Sequence, residues 1–129
     1  MKFRSIFFVL VSFVILSCNG QTSENIKTVE VKTFAEKINT TDSPQILDVR
    51  TPEEFNEDHI ANADNVDWLG DSFVEDAEKY DKTKPVFVYC KSGGRSKKAT
   101  EKLQELGFKN IYELDGGFMK WDAEGLSNK

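Results

Sequence analysis

The sequence predicts an α/β domain built on a mainly parallel sheet, and three observations carry that expectation. From about Ile26 onward, short apolar segments alternate with segments of helical period, as when strands and helices take turns along the chain. The run Pro85–Tyr89 is apolar throughout and rich in β-branched and aromatic residues, which suits a central strand covered on both faces. Directly behind it stand Cys90, Gly93, Gly94 and Arg95. Ligands of parallel sheets bind there, beyond the carboxyl ends of the strands.

The elements follow in order. Ile26–Val29 reads as a short strand. Val31, Phe34, Ala35 and Ile38 share one helical face, which predicts a helix over about Val31–Asn39. Thr40–Pro44 is a turn and Gln45–Val49 an apolar strand. Thr51, Pro52 and Glu54 give a helix start, with Thr51 as N-cap, Pro52 at the first position and Glu54 completing a capping box. Asn65-Val66 is a candidate short strand. Phe73, Val74, Ala77 and Tyr80 make a helical face within Asp71–Tyr80. Past the cysteine loop, Ser96–Leu106 is helical with Ala99, Leu103 and Leu106 inward, and Gly107 ends it. Asn110–Leu114 is a further strand, Gly116-Gly117 a break, and Phe118–Ala123 a last helix carrying Trp121.

A chain of 129 residues holds one domain, and its first segment stands apart. Lys2 and Arg4 precede the apolar run Ile6–Leu16, which ends in Ser17-Cys18 and turns polar at once. This is the layout of a secretory signal, and the run is shorter than the roughly 20 residues of a spanning helix. Ile15-Leu16-Ser17-Cys18 resembles the lipobox of bacterial lipoproteins. That resemblance implies cleavage before Cys18 and lipidation of Cys18. Residues 1–17 are then a signal peptide, 18–25 a polar tether, and 26–128 the folded domain. The protein is expected to be exported and lipid-anchored to a bacterial cell membrane on its periplasmic or extracellular side. An ordinary signal peptide and an uncleaved anchor are the alternatives.

Loss of Lys2 and Arg4 takes the net charge from −5 to −7, which argues against nucleic acid as a partner. The scattered acidic residues read as a solvated surface. With Cys18 consumed by lipid, Cys90 is the one free thiol, so no disulfide framework forms. One histidine and one thiol do not fill a zinc site, and no metal or cofactor is expected.

Three blocks, in order and spacing, identify the chain as similar to single-domain rhodaneses, the thiosulfate sulfurtransferase-like domains. They are Leu47-Asp48-Val49-Arg50 with Glu53, Glu54-Phe55 and His59-Ile60; the loop Cys90–Ser96; and Leu114–Phe118 with Trp121. The family commonly has glycine where this chain has Asp58, and often where it has Asn62. The resemblance implies a three-layer sandwich with a central mainly parallel sheet flanked by helices. It also implies sulfane-sulfur transfer, in which Cys90 takes sulfur from a donor such as thiosulfate, becomes a persulfide, and hands that sulfur to a thiol or cyanide.

The loop suits that chemistry. An ordinary thiol, with a pKa near 8.5, is only about 3% thiolate at pH 7; lowering the pKa by about two units takes about 2.7 kcal/mol. Two or three hydrogen bonds from the amides of Lys91 to Ser96 supply that, each worth about 1.5–3 kcal/mol. Gly93 and Gly94 are free to take the positive φ of a tight cradle. Lys91, Ser92, Gly93, Gly94, Arg95 and Ser96 thus form the expected substrate-binding loop. Arg95 offers a fork to an oxyanion, Lys91 is a charge at the mouth or plain surface, and Ser96 caps the helix or donates to substrate. Asp48 and Arg50 are expected as a supporting ion pair around the site, with a substrate role for Arg50 as the alternative. His59 is expected to hydrogen-bond near the Pro52–Asn56 turn rather than act as a base, and Trp121 and Phe118 to close the core.

The expected partners are a small sulfur-containing anion, an external thiol on a protein or small molecule, and a membrane reached through the lipid; the chain itself is expected to be a monomer. Three other readings stay open. One is a non-enzymatic rhodanese-fold binding module. Another is a cysteine phosphatase or arsenate reductase, whose loops place five residues between cysteine and arginine where this chain has four. The third is a redox thiol whose disulfide is intermolecular.

Overall fold

The structure is a computed structural model that describes residues 24–128. The expected signal segment, the lipobox-like run with Cys18, and the expected tether up to residue 23 lie outside the described residues. Five strands form one sheet in the order β1-β5-β4-β2-β3, with β1 Ile26–Val29, β2 Gln45–Asp48, β3 Asp64–Asn65, β4 Val86–Tyr89 and β5 Ile111–Leu114. Every pairing is parallel. Helices α1 Val31–Thr40, α2 Pro52–Glu57, α3 Phe73–Ala77, α4 Gly94–Glu105 and α5 Gly117–Ala123 complete the chain. The fold is thus the expected α/β sandwich, a central parallel sheet between two layers of helices. No helix among the described residues is long and apolar enough to cross a membrane.

Strand alternation builds two cores. Leu47, Val86, Val88, Cys90 and Ile111 face α3 and α4, packing with Phe73, Ala77, Ala99, Leu103 and Phe108. Ile46, Phe87, Tyr89, Tyr112 and Leu114 face the opposite layer, with Val31 and Phe34 of α1, Phe55 of α2 and Trp121 of α5. Phe34 sits edge-on to both Phe87 and Trp121, with centroids 5.5 and 6.2 Å apart, so the expected core-closing role of Trp121 holds; Phe118 packs against the same cluster, partly buried. All four residues of β4 are buried, as an all-apolar central strand requires.

Several boundaries shift from the sequence reading, most by one residue, among them those of α3, β3 and α4. α3 is five residues long, not ten. The bonds Lys79 N–H to Asp76 O and Tyr80 N–H to Ala77 O span three residues and tighten its end, while the Tyr80 hydroxyl donates to Asp64 at 2.8 Å and draws the chain towards β3. β3 lies one residue earlier than Asn65-Val66. α4 begins at Gly94 rather than Ser96, because Gly93, at φ +125°, serves as its N-cap. Asn62, at the position where the family often has glycine, takes φ +66°, a region that asparagine tolerates. Asp58, at the other departure, is extended, with φ −167°.

Candidate active site

Cys90 is the first residue beyond the carboxyl end of β4, and its free thiol lies in the wall of a cavity of about 330 Å³. Trp68, Leu69, Ser92, Gly94, Arg95 and Lys98 complete the lining. The thiol is almost sealed, with Cys90 1% exposed.

The backbone around it is held from behind. The Phe118 N–H donates to Cys90 O at 2.8 Å and the Met119 N–H to Lys91 O at 3.1 Å, so the first turn of α5 takes up two loop carbonyls. A Cβ on Gly117 would stand 2.6 Å from Cys90 O and 2.5 Å from Lys91 O, which is why a glycine, at φ +62°, begins this helix. With those carbonyls engaged, the following amides are left for the sulfur. The Gly93 N–H donates to Cys90 Sγ at 3.1 Å, and the thiol donates to Ser96 Oγ at 3.4 Å.

Two influences on the thiol oppose each other. Burial is the largest single one and raises its pKa. The Ser96 hydroxyl and the amides of Ser96, Gly93 and Ser92 lower it, and together they prevail, leaving Cys90 below the ordinary thiol value. Of the amides expected to cradle the sulfur, that of Gly93 is within hydrogen-bond distance of it. Of the two glycines, however, only Gly93 takes positive φ; Gly94 is an ordinary helical residue, because α4 already starts there.

Two side chains are placed otherwise than expected. Ser96 does not cap α4. It lies inside the first turn, fully buried, and its hydroxyl reaches Gly93 O at 3.1 Å and Glu113 Oε2 at 2.7 Å. Arg95 does not present an empty fork to the cavity. Its Nη1 and Nη2 donate to Glu54 Oε2 and Oε1 at 2.7 and 2.9 Å. The Arg95 hydrogen bonds, with help from Thr51, outweigh burial and hold the Glu54 carboxyl at a pKa of about 2. Glu54 also closes the capping box of α2 with Thr51, so one carboxylate joins the start of α2 to the start of α4. Lys91 and Lys98 are exposed and form no ion pair among the described residues; Lys98 lines the cavity and Lys91 does not.

The supporting residues behave as expected. Arg50 and Asp48 form a buried ion pair at 2.6 Å; Tyr89 donates its hydroxyl to Asp48 at 2.7 Å, and Arg50 donates to Asp58 O at 2.7 Å. His59 stacks on Phe55, with centroids 3.7 Å apart, and its Nδ1 lies 2.8 Å from Phe55 O.

The sequence reading missed Glu113, Lys98, and Trp68 with Leu69. Glu113 could have been found, since a charge between Tyr112 and Leu114 in a buried strand breaks the apolar pattern. Lys98 falls three residues after Arg95, on the same side of α4. Trp68 and Leu69 carry no periodic signal, being loop residues that only the fold brings to Cys90.

Residues 30–124 match the rhodanese-like domain. The chain belongs to this family. It is 45% identical over 78 residues to the thiosulfate sulfurtransferase GlpE of Coxiella burnetii, covering 60% of this chain and 71% of that protein. It is 36% identical over 93 residues to the chloroplastic thiosulfate sulfurtransferase 16 of Arabidopsis thaliana, covering 64% and 78%. Among solved structures, the rhodanese-related protein from Thermoplasma volcanium superposes with a TM-score of 0.70 at 29% identity, covering 80% of this chain and 97% of that one. The three sequence blocks that carried the resemblance all fall within the matched residues.

Proposed function

We propose that this rhodanese-like protein is a sulfurtransferase working through a persulfide on Cys90. Homology to thiosulfate sulfurtransferases supports such activity at the level of the family. The observation that carries the reading for this chain is the Cys90 sulfur itself, whose pKa is lowered despite burial by a hydroxyl and three amides, beside an open cavity.

The thiolate attacks the outer sulfur of a donor such as thiosulfate. The donor's S–S bond breaks, sulfite leaves with the electron pair, and Cys90 carries a persulfide anion. The amides that hold the thiolate are placed to hold the terminal sulfur as well. An external thiolate or cyanide then attacks that terminal sulfur, and the Cys90 thiolate departs. Lys98 at the mouth and the outer edge of Arg95 meet the donor's oxyanion. Among the described residues no second cysteine can take the sulfur onward, so the acceptor comes from solution.

Incubation with thiosulfate followed by intact-mass measurement is expected to add one sulfur atom to the protein. Cyanide is expected to remove it as thiocyanate, and Cys90→Ser to show neither event. A Cys90 that stays unmodified with every sulfane donor rejects the reading in favour of a binding module; turnover of p-nitrophenyl phosphate redirects it to phosphatase chemistry.

We further propose, from the lipobox resemblance alone, that Cys18 is lipidated and anchors the exported domain to a membrane. Labelled fatty acid should enter the wild-type chain in a bacterial host and not Cys18→Ser. Equal labelling of both rejects the anchor.

A further inference from the structure

Glu113 is a carboxylate where the fold has little reason to hold one. It is 6% exposed, on the face of β5 that packs against α4. Its two oxygens are satisfied by hydroxyls alone: Thr28 Oγ1 donates to Oε1 at 2.9 Å, and Ser96 Oγ lies 2.7 Å from Oε2. Among the described residues no Lys, Arg or His pairs with it. The groups facing it are few. β1 contributes Thr28, while Lys27 turns to the other face over the Tyr112 ring, where Lys37 of α1 also lies. The buried side of α4 contributes Ser96, Ala99, Thr100 and Leu103, none of them charged. Of the two α4 cations that line the cavity beside the sulfur, Arg95 is held by Glu54 and Lys98 is exposed. On this face of the sheet the other titratable groups are Cys90, at the end of β4 and 3.4 Å from the same Ser96 oxygen, and the pair Asp64–Tyr80 at β3, hydrogen-bonded to each other at 2.8 Å.

Ser96 therefore stands between a thiol and a buried carboxylate, and its hydroxyl has a single hydrogen to give, for which Glu113 Oε2 at 2.7 Å lies closer than Gly93 O at 3.1 Å. With that hydrogen on Glu113, Ser96 can only accept from Cys90, which keeps the sulfur a thiol. With it on the sulfur, Glu113 Oε2 faces a hydroxyl oxygen without a proton between them, unless the carboxyl brings one. Two buried anions sharing one hydroxyl would leave one of them without its hydrogen, and their like charges disfavour ionising both.

We propose that Glu113 is a positioning residue for the nucleophile, holding the proton that Cys90 gives up, with Ser96 as the bridge. The Cys90 S–H bond breaks and its proton joins Ser96 Oγ. The hydrogen that Ser96 held passes to Glu113 Oε2. No proton goes to solvent, and the trio carries one negative charge before and after. Ser96 then donates to the thiolate, and the neutral Glu113 carboxyl donates to Ser96. While the sulfur is anionic, as thiolate or as persulfide, its neighbour on this face is neutral.

This deepens the reading of Cys90 as a nucleophile, and its test uses no sulfur donor, so a failure to form persulfide leaves it separately decidable. The thiolate ultraviolet absorbance and the iodoacetamide alkylation rate are followed against pH. In the wild type, a state in which the proton is shared inside the protein gives a thiolate signal that rises in two steps with a plateau between them. Glu113→Gln keeps the shape and a donor to Ser96 but cannot take a proton, and its profile is expected to lose one step. A second measurement needs no variant. The infrared spectrum of the wild type should contain a protonated-carboxyl C=O band that disappears when Cys90 is alkylated. One step in the wild type matching that of Glu113→Gln overturns the proposal, and so does an infrared difference spectrum without a lost carboxyl band.

Discussion

Two arginine–carboxylate pairs flank the reactive loop, alike in chemistry and opposite in setting. Arg50–Asp48 lies behind the sheet edge with side chains 5% and 0% exposed, while Arg95–Glu54 sits at the mouth at 25% and 27%. The inner pair is saturated. Asp48 also accepts from the Tyr89 hydroxyl and the Arg50 N–H, and the Arg50 guanidinium lies 4.4 Å from the centroid of the Phe118 ring. The outer pair keeps solvent on one side and joins two helix starts that the chain separates widely. Burial thus decides what the same ion pair does. The inner one fixes the frame around Cys90, and the outer one is a clasp that a competing anion can reach.

Breaking the inner pair should give the largest effect. Asp48→Ala strands the Arg50 charge in a buried site and is expected to cost about 3–5 kcal/mol in a denaturant titration. Tyr89→Phe tests the same frame more gently. It removes a hydrogen bond to a charged group, and also the acceptor of the Ile60 N–H, for about 1.5–3 kcal/mol. A Tyr89→Phe variant as stable as the wild type would show that the inner pair does not need its third partner.

The outer pair should yield little stability and a clear change in kinetics. Glu54→Gln retains the capping box, which accepts either residue, and removes only the negative charge that faces Arg95. Stability is expected to fall by about 1 kcal/mol or less. Because Arg95 regains its net charge beside the cavity, KM for thiosulfate is expected to fall several-fold; an unchanged KM would make the clasp purely structural. The smallest effect is with pH. The Glu54 pKa is lowered on folding from 4.5 to about 2, so its stabilisation is complete above pH 4.5 and fades as pH drops to about 2. The gap in Tm between wild type and Glu54→Gln should close over that window.

The parts legible in the sequence were those governed by local rules. Periodicity placed all five strands within a residue or so, and Thr51, Pro52 and Glu54 announced their capping box by spacing alone. The position of Cys90 was legible because a strand, a glycine turn and a helix start meet at it. What local rules could not supply was partnership across the fold. The Arg95 fork looked free because Glu54 is remote in sequence and was already explained by its cap. Ser96 looked like a cap because its inward face is defined by Glu113, a strand away. α3 was read too long because the chain after Ala77 is shaped by Tyr80 reaching Asp64, a contact that helical period does not encode.

The seat of the Cys90 and Lys91 carbonyls on α5 has a consequence for the order in which the protein comes alive. Cys90 precedes in the chain the amides of Phe118 and Met119 that hold its loop, so the seat of the loop is synthesised after the sulfur it surrounds. Without those two amides the Cys90 and Lys91 carbonyls lose the bonds that seat the loop on α5. The lowered pKa of Cys90 is therefore a property of the assembled domain, α5 included, and not of the Cys90–Ser96 segment alone.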